Sequence, residues 1–270
     1  MARPSAASRR AAEQAARHAA EQAQRQARRR RLIGAGSAAL AVLLVLAAVV
    51  FGLNRDEEAD EPVASGPQLE VPNAAPGNRG ITLTRTPAGK PLVVVVEDYQ
   101  CPWCMVAEQS IGKQLQALAG KGELGLEVRS ITLLDTMANN DSSLRANLAA
   151  SCADVVGRYP AYRDAVFAHQ PQKEGDGYTD EQLRVEIPAA TGIQGDELTR
   201  LQGCYDQRRS SSHVDAVIEK ARADKLDTST PQYWVAGADG TLKNKLDLQE
   251  LMGTSDPTEQ QLLDAIRAAS

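Results

Sequence analysis

Leu92-Val93-Val94-Val95-Val96-Glu97-Asp98-Tyr99-Gln100-Cys101-Pro102-Trp103-Cys104 is the stretch that decides the fold. Its five leading apolar residues read as a strand apolar on both faces, as in the middle of a covered sheet. After the cysteines, Ala107, Ile111, Leu115 and Leu118 recur at helical spacing, and Gly120 and Gly122 end the helix. Leu126 to Leu134 reads as the next strand. The result is a strand-helix-strand unit with two cysteines at the carboxyl end of its first strand, where open α/β sheets place their sites.

That position suits dithiol chemistry. Cys101 falls where the unpaired amides and positive end of a helix favour a thiolate, and Cys104 lies one turn further on. Pro102 fits a first helical turn, where its missing N–H costs nothing. Cysteines so placed have pKa values of about 3.5 to 7, against ~8.5 for a free thiol. Cys101 is therefore the expected nucleophile and Cys104 the more buried, resolving thiol. A zinc half-site would need two further ligands, yet the other cysteines fall singly and far apart without His neighbours. A purely structural disulfide is the other alternative. No metal and no cofactor is expected.

Upstream, the first 31 residues hold nine Arg, no Lys and two Glu, and end in Arg28-Arg29-Arg30-Arg31. Leu32 to Leu53 then carries no charge. At ~1.5 Å rise per residue this run crosses a bilayer core of about 30 Å. Asp56, Glu57, Glu58, Asp60 and Glu61 follow it. Positive charge before the span puts the N-terminus in the cytoplasm and the rest outside. The run exceeds the h-region of a cleaved signal, about 7 to 15 residues, and no small-x-small site closes it. The arginines read as retention charges. Residues 54–79, rich in Pro, Gly, Ala and acids, read as a flexible linker.

The net charge of −5 conceals an asymmetry. Beyond the basic tail there are 21 basic and 33 acidic residues, or −12. That argues against nucleic acid or an anionic membrane surface as partner. All four cysteines follow the apolar run, an even number in a compartment that permits disulfides.

Residues 80–270 read as one domain. Ile81 to Thr84 opens it as a strand, and about 140–224 is an all-helical insertion. One helical stripe there is Leu144, Leu148, Cys152 and Val155; another is Leu198, Leu201 and Tyr205, beside Cys204. Val214, Val217 and Ile218 mark a third. Cys152 and Cys204 could form a bond stapling the insertion, remain buried thiols, or make a second redox pair. Gln232 to Ala236 and Leu242 to Leu246 are strands joined by a two-residue turn at Asp239-Gly240. Thr258 to Ala269 is a closing amphipathic helix.

This order amounts to a thioredoxin-type sheet. The segment Val93 to Cys104, together with Thr228-Ser229-Thr230-Pro231-Gln232-Tyr233-Trp234-Val235 before a hairpin, resembles the DsbA-like thioredoxin-fold oxidoreductases, above all their membrane-anchored actinobacterial forms. The resemblance covers roughly residues 80–270. It implies disulfide formation in exported, unfolded or partly folded polypeptides, with reoxidation by a quinone-linked membrane partner, VKOR- or DsbB-like. It implies a cis Thr230-Pro231 lying against the cysteines, leaving Thr230 to pair with substrate, and a Cys152–Cys204 disulfide. A reductase or isomerase, for example serving cytochrome c maturation, is the alternative function. A thioredoxin-fold binding module without catalysis is a third.

Two departures from the family stand out. Its buried acid six residues before the first cysteine is replaced by Val95, leaving Glu97 and Asp98 as tuning acids or as solvated loop residues. Asp98 matches an acid often found three before the cysteine. Trp103 replaces a frequent His between the cysteines; it offers aromatic surface but no cation for the thiolate. The reduction potential, measured by equilibration with glutathione, is accordingly expected to lie below the ~−120 mV of the strongest DsbA-type oxidant.

Overall fold

The structure is a computed structural model, and it describes residues 66–248 and 257–270. Leu92-Val93-Val94-Val95-Val96 does become the spine of the sheet. Five strands, β1 (Ile81–Thr84), β2 (Leu92–Glu97), β3 (Gly125–Ser130), β4 (Gln232–Ala236) and β5 (Leu242–Leu246), lie in the order β1-β3-β2-β4-β5. β2 runs parallel to β3, and the other pairings are antiparallel. Strand alternation divides the β2 side chains between two faces. Val93 and Val95 pack with Ala107, Ile111, Leu115 and Leu262, whereas Leu92, Val94 and Val96 pack with Ile131, Ala221 and Leu226. The expected thioredoxin-like α/β fold forms.

The helix after the cysteines has a wide turn in it. α1 (Pro102–Ala107) passes through a π-helical turn, Glu108–Gly112, into α2 (Lys113–Gly120). Such turns concentrate at functional sites. Here the Glu108 side chain lies over Gly112, where a Cβ would come within 2.3 Å of its carboxyl carbon.

Between β3 and β4 the chain is helical: α3 (Leu133–Ala138), α4 (Ser142–Val155), α5 (Tyr159–Ala168), a π-helical turn (Gln182–Glu186) leading into α6 (Ile187–Ala190), α7 (Gly195–Asp206) and α8 (Ser211–Ala223). α4 is covered on nearly all sides by its neighbours, with Ala146, Ala149, Ala150 and Ala153 permitting close approach. α9 (Glu259–Ala268) closes the opposite face, opened by a capping box between Thr258 and Gln261.

Three sequence expectations need correction. β3 ends at Ser130 instead of Leu134, because Leu133 starts α3 and the Leu134 N–H turns to the Asp98 carboxylate at 2.8 Å. The hairpin tip is longer than two residues. Gly237 N–H donates to the Thr241 carbonyl at 2.9 Å, enclosing Ala238, Asp239 and Gly240, the last with φ +79°. That is a turn closed by a left-handed residue, a role that suits glycine. Residues 66–79, read as the end of the linker, instead pack on the insertion. Val71 and Ala75 are buried, and Asn73 donates from backbone and side chain to Asp154, both at 2.8 Å. Among the described residues no helix is long and apolar enough to cross a membrane; Leu32 to Leu53 lies outside them.

Cys152 and Cys204 are bonded, tying α4 to α7 across 52 residues of sequence. Loop closure of that length is worth about 4 kcal/mol in the chain-entropy model. Replacing both cysteines by Ala is therefore expected to lower the unfolding free energy by about 3 to 4 kcal/mol in urea titration, with the Cys101/Cys104 chemistry retained.

Candidate active site

Cys101 caps the start of α1. Its N–H donates to the Asp98 carbonyl at 3.0 Å, and its carbonyl accepts from the amides of Cys104 at 3.0 Å and Met105 at 3.3 Å. Pro102 occupies the first turn of the helix. Trp103, between two buried cysteines, is 70% exposed. The loop carbonyls before the helix are held from the insertion. Gln170 donates to the Tyr99 carbonyl at 2.7 Å and the Cys101 carbonyl at 3.1 Å, and the Tyr178 hydroxyl donates to the Tyr99 carbonyl at 2.7 Å.

The two thiols are driven in opposite directions. Cys101 is lowered to about 6, first by the hydrogen bond from Cys104 and then, against burial, by Thr230 and the amides of Cys104 and Trp103. Cys104 is raised well above the ordinary thiol value by burial, by its bond to Cys101 and by the nearby Glu97 charge. One sulfur is thus stable as thiolate near neutrality and the other as thiol.

Thr230-Pro231, 129 residues from Cys101 in sequence, arrives beside this pair. The peptide bond is cis, and the Cys101 thiol donates to the Thr230 carbonyl at 3.5 Å. The Thr230 hydroxyl is buried and has no hydrogen-bond partner among the described residues, and the Thr230 side chain lowers the Cys101 thiol. Beside the two cysteines runs a groove of about 720 Å³ bordered by Trp103, Val106, Thr230, Pro231, Tyr233 and Leu248.

Both tuning candidates are buried, so they are not solvated loop acids. Asp98 accepts from the Gln100 amide at 2.8 Å, the Ser143 hydroxyl at 2.6 Å and the Leu134 amide at 2.8 Å. Desolvation still lifts it to about 6, against those donors. Its carboxylate fastens the loop to α3 and α4. Glu97 is the acid whose charge reaches Cys104. It is paired with Arg163 of α5, whose Nε lies 2.9 Å away, and accepts from Ser130 at 3.2 Å. Arg163 also meets Glu108 at 2.7 Å and Asp164 at 3.4 Å. Burial raises Glu97 despite the arginine. Val95 stays in the hydrophobic core.

Arg163, Glu108, Gln170, Tyr178 and Ser143 escaped the sequence reading. Each is a polar residue whose partner at the site comes from a distant part of the chain, so no local pattern signals it. Among the described residues no group of His, Cys, Asp or Glu is gathered to hold a metal.

The fold and the cysteine pair define a class of dithiol proteins, and sequence comparison agrees. The family model described as Thioredoxin matches residues 86–251, more than half of the chain. The chain belongs to the thioredoxin family. Similar solved structures include MdbA, a thiol-disulfide oxidoreductase from Actinomyces oris, with TM-score 0.56 and 16% identity over 73% of this chain and 92% of that one. The corresponding MdbA from Corynebacterium diphtheriae has TM-score 0.51 and 18% identity over 69% and 95%. BdbD from Bacillus subtilis has TM-score 0.51 and 20% identity over 75% and 99%. At these identities the likeness is one of fold. No curated protein sequence matches the chain.

Thiolate absorbance at 240 nm in the reduced protein is expected to titrate with a midpoint near pH 6, assigned to Cys101. Removing the donor in Cys104→Ala raises that midpoint, because the largest contribution holding it down is lost. An unchanged midpoint in the variant would assign the lowering to the helix amides instead.

Proposed function

We propose that this protein is an extracytoplasmic thiol:disulfide oxidoreductase that forms disulfides in exported, unfolded or partly folded polypeptides. Leu32 to Leu53 anchors it in the membrane, with the N-terminus in the cytoplasm. The opposed pKa directions of Cys101 and Cys104, beside a groove of mixed apolar and polar lining, carry the reading. A lowered Cys101 makes the reduced pair comparatively stable, which is what gives a disulfide oxidising power. Its value near 6 lies between those typical of the strongest oxidants and of thioredoxin, in keeping with the missing cation at Trp103.

The chemistry balances over two exchanges. A substrate thiolate attacks Cys101 Sγ of the Cys101–Cys104 disulfide, and Cys104 leaves as a thiolate. That thiolate is buried and takes up a proton. A second substrate thiolate then attacks the substrate sulfur of the mixed disulfide, and Cys101 leaves as a stabilised thiolate. The substrate has lost two electrons and the cysteine pair has gained them. A quinone-linked membrane partner, VKOR- or DsbB-like, removes them to restore the disulfide.

Glu97 serves as the proton donor to Cys104 in this scheme. One guanidinium, Arg163, faces three carboxyl groups, Glu97, Glu108 and Asp164, so the cluster keeps excess negative charge that a proton relieves. The acid therefore sits four residues before the first cysteine, two positions later than the family pattern places it. Trp103, Thr230 and Pro231 border the groove where an extended polypeptide would lie against Cys101.

Cys104→Ala expressed in the native envelope is expected to accumulate mixed disulfides between Cys101 and many exported polypeptides, visible as reducible adducts by mass spectrometry. Adducts with a cytochrome-maturation component alone would point to a reductase. An absence of adducts would leave a binding module.

A further inference from the structure

A second group of polar side chains lies behind the Glu97–Arg163 pair, away from the substrate groove. Here a small cavity of about 20 Å³ is lined by buried residues of β1, β3, α4, α5, α8 and the loop before Cys101. Its polar lining consists of Tyr99, Ser130, Asn147, Ser151, Tyr159 and His213. The Tyr99 hydroxyl and the His213 Nδ1 are buried with no partner at full hydrogen-bond geometry among the described residues, although Tyr159 and Ser130 act on the Tyr99 phenol. Two orphaned polar atoms beside one small polar space are costly unless something bridges them. A cavity needs only about 10 to 15 Å³ and two to four polar partners to hold one water.

Ser130 connects this space to the cysteines. It lines the cavity, and its hydroxyl donates to Glu97 at 3.2 Å. Glu97 in turn acts on Cys104. We propose that a water molecule bound between Tyr99 and His213 completes a proton path, from His213 through the water and Ser130 to Glu97, that reloads Glu97 as it protonates Cys104. This rests on the oxidoreductase reading above. The cluster around Arg163 already holds more carboxyl groups than cations, so Glu97 gives up a proton only as it receives another. The two transfers are therefore coupled.

The proton balance is simple. Glu97 gives one proton to the departing Cys104 thiolate, Ser130 passes its hydroxyl proton to Glu97, and the water supplies Ser130. The water recovers its proton from solvent by way of His213. Tyr99, whose phenol is held protonated by burial, anchors the water without ionising at physiological pH. His213, lowered to about 4 by burial, is neutral there and presents an imidazole that can both accept and donate. Ser130 and His213 are positioning residues; neither touches the reacting sulfurs.

The test is a stopped-flow single turnover of the full-length oxidised protein with a dithiol peptide, following the transient Cys104 thiolate at 240 nm. In Ser130→Ala and in His213→Leu the transient is expected to last about tenfold longer. That is less than the roughly hundredfold contributed by a group that transfers the proton itself. Its solvent deuterium isotope effect should rise in both variants, while the rate of attack on Cys101 stays at the parent value. His213→Gln, whose amide can hold the water but cannot pass a proton, is expected to keep the long lifetime, and a return to the parent lifetime would overturn the relay through His213. Parent-like lifetime and isotope effect in both Ser130→Ala and His213→Leu would overturn the path and leave the oxidoreductase reading standing. Failure of the parent protein to oxidise the peptide at all would remove both. Ser130→Ala and His213→Leu alter different elements, so a folding defect in one leaves the other to decide.

Discussion

The ion pair between Glu97 and Arg163 is the interaction on which the rest depends. Glu97 ends the central strand, and Arg163 comes from α5 of the helical insertion. A buried carboxylate without its arginine would be forced to neutralise or to distort the loop that follows. With it, the strand end, the wide turn at Glu108 and the insertion are fixed against one another. From that junction the Glu97 charge reaches Cys104. The pair sits in low dielectric with two further carboxyl groups beside it, and burial raises Glu97 above the ordinary carboxylate value.

Cys101 starts the helix, Cys104 is buried one turn on, and the cis Thr230-Pro231 lies beside Cys101. The insertion contributes Gln170 and Tyr178, which satisfy loop carbonyls that a strand or helix would otherwise have paired. Its role is thus not confined to bulk. It provides hydrogen bonds that hold the loop before Cys101 in a shape the sheet alone does not impose. The Cys152–Cys204 bond stiffens the same insertion from its far side.

A second buried charge group works elsewhere. Glu127 on β3 is held by Arg79 and Arg129, and Arg129 donates onward to the Gly240 carbonyl at 2.9 Å. The hairpin tip is therefore tied to the sheet, and a side chain at 240 would strike the Arg79 guanidinium about 2.1 Å away. Paired charge is buried both at the end of β2 and within β3, so polar geometry as well as apolar area specifies the fold.

The strands are legible in the sequence because each carries its own signal. The Val93 to Val96 run is apolar on both faces, and Gln232 to Ala236 and Leu242 to Leu246 flank a turn. The cysteine pair is legible because its spacing is local. The end of β3 is not: Ile131 to Leu134 is nearly as apolar as a strand, and Asp98 draws the Leu134 amide into a turn from 36 residues away. Likewise residues 66–79 lack periodicity, yet Asp154 supplies the partners that order them. The place of Thr230 and Pro231 beside the cysteines was implied by the family resemblance; by itself the sequence determined the strands of the thioredoxin-like sheet and the dithiol at Cys101 and Cys104. Those features rest on periodicity and on spacing along the chain, which a linear string records. Only the tertiary structure decided that the Glu97 carboxylate adds its charge to Cys104 and that Arg163 pairs with it, and it brought together Cys152 and Cys204, a bond the resemblance had implied. Arg163 reaches Glu97 across 66 residues of sequence, and Cys204 reaches Cys152 across 52. Their effects come from shared burial, where low dielectric magnifies every charge and hydrogen bond, and burial exists only once the chain has folded.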